Sequence, residues 1–113
     1  MKNNIDKLYE FRNSLLNISE GEEVINPSEQ AFEQTIKVIE WIDSIKIPSE
    51  YDISFDYDVL GGIAIHIGSY VWIAIMNNGN ESLVINHFNL SFQAIDWKNQ
   101  NQFAKEELVK FLK

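Results

Sequence analysis

The sequence predicts an α+β fold, with two N-terminal helices packed on a four-stranded antiparallel sheet of meander order and a short helix at the C-terminal end. Three observations predict it. Apolar residues recur at spacings of three and four from Ile5 to Ile45, they alternate strictly after Pro48, and Gly- and Asn-containing turns cut the alternating part into pieces short enough to pair as hairpins. With 113 residues, 45% of them hydrophobic and 23% charged, the chain has the length and composition of one globular domain, residues 1–113, with one core.

The elements follow in order. Ile5, Leu8, Phe11, Leu15 and Leu16 fall on one face of a helix over about residues 4–17. Residues 19–26 hold Gly21 and three acids without periodicity, which reads as an exposed connection. In Asn26-Pro27-Ser28-Glu29, Asn26 is placed to cap free N–H groups, Pro27 suits a first helical position and Glu29 a capping-box carboxylate, so a second helix is expected to begin there. Ala31, Phe32, Thr35, Ile36, Ile39, Ile42 and Ile45 form its apolar face, Glu29, Glu33, Lys37 and Glu40 its wet face, and Pro48 ends it. From Tyr51 to Asp58 a strand sends Tyr51, Ile53, Phe55 and Tyr57 one way and Asp52, Ser54, Asp56 and Asp58 the other. After Gly61-Gly62, Ile63, Ile65 and Ile67 alternate with Ala64 and His66. A turn at Gly68-Ser69 leads back through Val71, Ile73 and Ile75, with Trp72, Ala74 and Met76 on the opposite side. Asn77-Asn78-Gly79 supplies the positive φ of a hairpin turn into a fourth strand over residues 82–87. Phe88, Leu90 and Phe92 alternate weakly and either extend that strand or add one. A helix over residues 102–112 is expected to turn Phe103, Leu108, Phe111 and Leu112 inward; either it or a partner covers the apolar part of the second sheet face, and cover by the helix is favoured.

Charge is uneven along the chain. Residues 10–58 carry twelve acids against three bases, a local −9, while the remainder is close to neutral and the whole chain is −8. Such a field repels phosphate backbones, so direct nucleic-acid binding is not expected, and it favours a basic protein partner. Aromatic side chains on a sheet can stack bases, but that mode needs interleaved Lys and Arg, and the neighbours here are Asp. The N-terminal residues enter an amphipathic pattern without the apolar stretch of a secretory signal, and the apolar run over residues 63–76 is broken by His66, Gly68 and Ser69, so a cytoplasmic location without membrane contact is expected. The chain has no cysteine, which removes disulfides, thiolate zinc sites and cysteine nucleophiles together.

Candidate chemistry is sparse. Asp52, Asp56 and Asp58 share a strand face near His66, but residues two apart on a strand hold their carboxylates on a flat surface with no loop to wrap an ion; a solvated face is expected there, with no metal and no cofactor. His66 and His87 are the natural acid–base candidates, yet neither has a nucleophile or carboxylate companion at motif spacing, and structural roles are expected for both. No glycine-rich loop precedes a helix and no serine stands in a nucleophile elbow. Of the tryptophans, Trp41 lies beside the apolar stripe of its helix, whereas Trp72 on the second sheet face is the candidate interface anchor.

The segments Asn26-Pro27-Ser28-Glu29-Gln30-Ala31-Phe32, Ile47-Pro48, Leu60-Gly61-Gly62-Ile63-Ala64-Ile65-His66 and Asn78-Gly79 resemble the pattern of a loose group of small uncharacterised bacterial proteins: a Pro-Ser-led helix followed by Gly-Gly-Ile and Asn-Gly hairpins. The resemblance covers residues 26–85. It departs at Leu60, where the group tends to have Asp, and at His66-Ile67, where it tends to have Glu-Trp. It implies the helix-then-hairpins architecture and, through the toxin and mobile-element genes that such proteins accompany, an interaction role; it carries over no catalytic residue.

The expected function is therefore non-enzymatic: a small acidic inhibitor of the immunity-protein, antitoxin or phage anti-defence kind, which occludes a basic enzyme such as a nuclease. Glu20, Glu22, Glu23, Asp52, Asp56 and Asp58 are the carboxylates expected to answer Lys and Arg, with Trp72 as anchor. The alternative is a structural or adaptor domain that acts as a homodimer.

Overall fold

The chain is described by a computed structural model over residues 3–15, 25–58, 60–87 and 91–112. Glu20, Glu22 and Glu23 lie outside the described residues.

Helix α1, Asn4–Leu15, starts where Asn3 accepts the Asp6 N–H on its side-chain oxygen at 2.8 Å. It buries Leu8 completely and half-buries Ile5 and Phe11. Helix α2, Glu29–Ile45, is capped by Ser28 and not by Asn26: Ser28 has extended backbone angles, and its Oγ accepts the Ala31 N–H at 3.0 Å. Asn26 is engaged elsewhere. The Asn77 amide nitrogen donates to the Asn26 backbone carbonyl at 2.9 Å and its oxygen accepts the Ser28 N–H at 2.7 Å, which ties the segment ahead of the helix to the β3–β4 turn. Six residues of α2, Ala31, Phe32, Thr35, Val38, Ile39 and Ile42, are buried, and Lys46 closes the helix in the left-handed conformation with φ 50°.

Five strands follow: β1 Ile53–Tyr57, β2 Gly62–Ile67, β3 Val71–Met76, β4 Glu81–His87 and β5 Ser91–Asp96. Each pairs antiparallel with the next, so the sheet order is β1-β2-β3-β4-β5, a meander with one strand more than the four expected. β5 runs from Ser91 opposite His87 to Asp96 opposite Ser82. Its inward residues are Gln93 and Ile95, while Phe92 points outward and is 68% exposed. The apolar alternation visible at Phe92 thus belongs to the outer face, and a polar Gln occupies the inner one, which is why the strand reads weakly from sequence.

Helix α3, Asn101–Leu112, corrects a second expectation. It lies on the same side of the sheet as α2: Ala104, Leu108 and Leu112 are buried in one core with Ile39, Ile65, Ile73, Leu83 and Ile85. The turn after β5 sends it there. Trp97, only 2% exposed, sits edge-on to Trp41 of α2 at 5.5 Å, so the chain leaves the sheet already on the helix side. Ala104, not Phe103, occupies the inward stripe, and Phe103 is exposed. The result is two layers, with three helices over one face of the sheet and none of the described helices over the other. No described helix is long and apolar enough to cross a membrane.

Candidate functional site

The strands place every second residue on the outer face, which none of the described helices covers. The pairing lines up Ser54, His66, Trp72, Val84 and Ala94 in one transverse row, and Asp56, Ala64, Ala74, Ser82 and Asp96 in the next. The first row carries an aromatic ridge. His66 and Trp72 have ring centroids 6.3 Å apart, and the Trp72 ring meets Phe92, from the adjoining Asn86–Phe92 pair, edge-on at 6.3 Å. The second row is a trough with a floor of Ala64, Ala74 and Ser82 and a carboxylate at each end, Asp56 on β1 and Asp96 on β5. With strands about 4.8 Å apart the two carboxylates stand roughly 19 Å from each other.

The electrostatics of this face have one sign. No Lys or Arg occurs from residue 47 to residue 97, the stretch that contains all five strands. Asp96 is held ionised: its Oδ1 accepts the N–H groups of Lys98 at 3.0 Å and Asn99 at 2.9 Å, and its Oδ2 accepts the Asn99 side-chain amide at 2.8 Å. The Asn99 backbone N–H is the largest of the influences that pull its carboxyl below the ordinary value of 3.8. Asp56 stands exposed on its strand and accepts the Tyr57 N–H at 2.9 Å.

The carboxylates expected to act together are not gathered. Asp52 is turned to the helix layer, where Lys7 of α1 reaches it at 3.3 Å. Asp58 shapes the β1–β2 turn, accepting the Leu60 N–H on its side chain at 2.8 Å and the Gly61 N–H on its carbonyl at 2.9 Å. Asp56 and Trp72 do share the open face, two strands apart. Phe92, Val84 and Asp96 belong to the same surface and were not singled out from the sequence. The Lys- and Arg-free run of residues 47–97 was the available signal, because it covers a whole sheet rather than a cluster.

His87 is on the other face. Its Nε2 lies 2.8 Å from the Gln93 Oε1 and its ring meets Phe111 edge-on at 5.7 Å, a packed arrangement on the helix side. No group of three or more His, Asp or Glu side chains that could hold a metal ion occurs among the described residues. The outer face presents π surfaces with which a cation or an apolar side chain could interact, and carboxylates at both ends of the trough. Comparison of the chain with protein-family models, with curated proteins and with solved structures finds no match.

Proposed function

We propose that this chain is a small acidic binding protein that docks a basic protein partner on its open sheet face, and that its role is inhibition by occlusion, as in an immunity protein, an antitoxin or an anti-defence factor directed at a basic enzyme such as a nuclease. The observation that supports the reading is the outer face itself: an aromatic ridge of His66, Trp72 and Phe92 beside a trough ended by Asp56 and Asp96, on a sheet without a single Lys or Arg. Exposed Phe92 and half-buried Trp72 supply the apolar anchor typical of interface centres. One-signed charge around them accelerates encounter with a basic surface and rejects acidic ones. An Arg guanidinium satisfies both demands at once, since it stacks on Trp72 or Phe92 and pairs with a carboxylate.

The test is retention of proteins from a bacterial lysate on the immobilised chain at low and moderate salt, run beside Trp72→Ala and the double substitution Asp56→Asn with Asp96→Asn. Support consists of one basic enzyme that the unmodified chain retains, that salt releases, that both variants lose by about tenfold or more, and whose activity the free chain inhibits at one-to-one stoichiometry. Retention unchanged in both variants removes the sheet face from the reading. If only the bait is recovered, and light scattering finds a dimer that Trp72→Ala dissociates, the homodimeric adaptor takes its place.

A further inference from the structure

A groove lies on the helix side of the molecule. It opens between α2 and α3 over the start of β4 with a volume of about 350 Å³, within the size range of small-molecule pockets. Its rim holds Lys37, Lys98 and Lys105, a third of the nine Lys and Arg of a chain with net charge −8. None of the three comes within 4 Å of a described carboxylate; the described ion pairs, Lys7–Asp52 and Arg12–Glu29, are elsewhere. Lys98 does lie in the field of Asp96, and the Lys105 ammonium stands 5.1 Å from the ring centre of Trp41. Because the groove also meets the first residue of α3, the positive end of that helix adds to the same potential.

The floor has the opposite character. Glu81 is only 8% exposed, and its Oε1 accepts the Gln34 side-chain amide at 3.1 Å. A carboxylate accepts several hydrogen bonds, and burying one is costly unless donors satisfy it. Gln34 is the one described side-chain partner of Glu81, and Glu81 lines this groove as well as the neighbouring hollows beside Gly79 and Lys98. A cation-only ligand would be repelled by the rim and a simple anion by the floor. The pair of demands selects a molecule that is strongly anionic at one end and a hydrogen-bond donor at the other.

We infer that this groove binds a phosphomonoester whose uncharged half donates N–H or O–H to Glu81. The phosphate takes the lysine rim, where two negative charges meet three ammonium groups, and the donor end reaches the Glu81 floor beside the Trp41 ring. Nucleoside monophosphates and sugar phosphates both have this chemistry. Their common requirement separates the site from the sheet face, which is acidic and on the opposite side of the sheet.

Tryptophan fluorescence of the intact chain reads the groove through Trp41 and Trp97, with the full-length Trp72→Phe variant measured alongside to remove the signal of the sheet face. Both are titrated with inorganic phosphate, a nucleoside monophosphate and a sugar phosphate, with circular dichroism as the check on folding. One of the two esters is expected to saturate below about 1 mM and to bind about tenfold or more tightly than inorganic phosphate. Glu81→Gln, which keeps an acceptor for Gln34, brings that ester down to the inorganic phosphate level. Lys98→Ala, at an exposed rim position, weakens all three ligands. The better ester identifies the source of the phosphate. The inference is overturned if neither ester saturates, if inorganic phosphate binds as tightly as both, or if folded Lys98→Ala binds as well as the unmodified chain.

Discussion

The two faces of the sheet are built from the same strands and meet opposite fates. On β2 and β3 the inward residues Ile63, Ile65, Ile67, Val71, Ile73 and Ile75 are each at most 2% exposed, while their immediate neighbours Ala64, His66, Trp72, Ala74 and Met76 are only half-buried. Alternation sorts side chains into two sets but does not say which set becomes the core. The helix layer decides that. Branched aliphatic side chains pack densely against the stripes of α2 and α3 and lose no polar group in doing so, whereas the opposite set carries a histidine, an indole N–H and flanking carboxylates that are better left near water. The set that no described helix covers is the one the proposed binding role rests on.

The comparison can be broken most forcefully from the inside. Ile73 is completely buried at the centre of the middle strand, and Ile73→Ala is expected to cost about 2–5 kcal/mol through lost transfer energy and the cavity left behind. Val84→Ala, at a half-buried position on the outer row, removes two carbons against three where no described helix packs above it, and is expected to cost about 1 kcal/mol or less. Urea unfolding at neutral pH measures both. Equal costs would mean that the outer face is also packed against something, and would undo the distinction.

How far the faces were legible in the sequence follows from the same contrast. The sorting was legible: period-two alternation placed Trp72, His66 and Asp56 together on one side and the isoleucines on the other, and the pairing obeys it residue by residue. The cover was not. Whether α3 lies over Trp72 or beside α2 depends on a single turn after β5, where Trp97 is drawn into the core against Trp41, and tertiary packing of one ring leaves no periodic trace in a sequence. The cap of α2 was displaced for a related reason. Asn26 and Ser28 are equally good caps by type, and the backbone of both is held by Asn77, far away in the chain, a contact that leaves no local trace in the sequence. The carboxylates were identified by residue type alone, so those with local tasks, Asp52 and Asp58, could not be told from Asp56, which has none beyond its own strand.

A smaller loss is expected where the outer face is pinned to the turn beside it. Gly62, the first residue of β2, has φ 151°, and a Cβ there would stand 2.4 Å from the Ile75 carbonyl oxygen and 2.8 Å from the Met76 Cα. Both obstacles are backbone of the neighbouring strand, so the β2–β3 pair must shift. Gly62→Ala is expected to destabilise the chain by about 1–3 kcal/mol. It should also weaken partner binding further than its effect on folding explains, because Met76 is opposite Gly62 and shares the outer face with Trp72. Denaturation and binding measured on the same sample separate the two losses; binding that falls only in step with the folded fraction would show that the face does not depend on this register.

The smallest expected effect distinguishes a carboxylate that holds a turn from one that meets a partner. Asp96 does the first by accepting from Lys98 and Asn99, and an Asn in its place keeps an oxygen for those backbone donors. Its carboxyl is depressed below 3.8, chiefly by the Asn99 backbone N–H, so the stabilisation that this ionisation contributes is complete above 3.8 and is lost as pH falls through the lower value of the folded state. Asp96→Asn should therefore be slightly less stable than the unmodified chain at neutral pH, and the two urea midpoints should converge as acid protonates the native carboxyl. Binding of the basic partner should fall at neutral pH by more than that difference, since the charge at one end of the trough is gone while the turn remains. Midpoints that stay apart in acid would show that the substitution disturbs the turn itself. Unchanged binding at neutral pH would confine Asp96 to a structural role and leave Asp56 and the aromatic ridge to carry recognition.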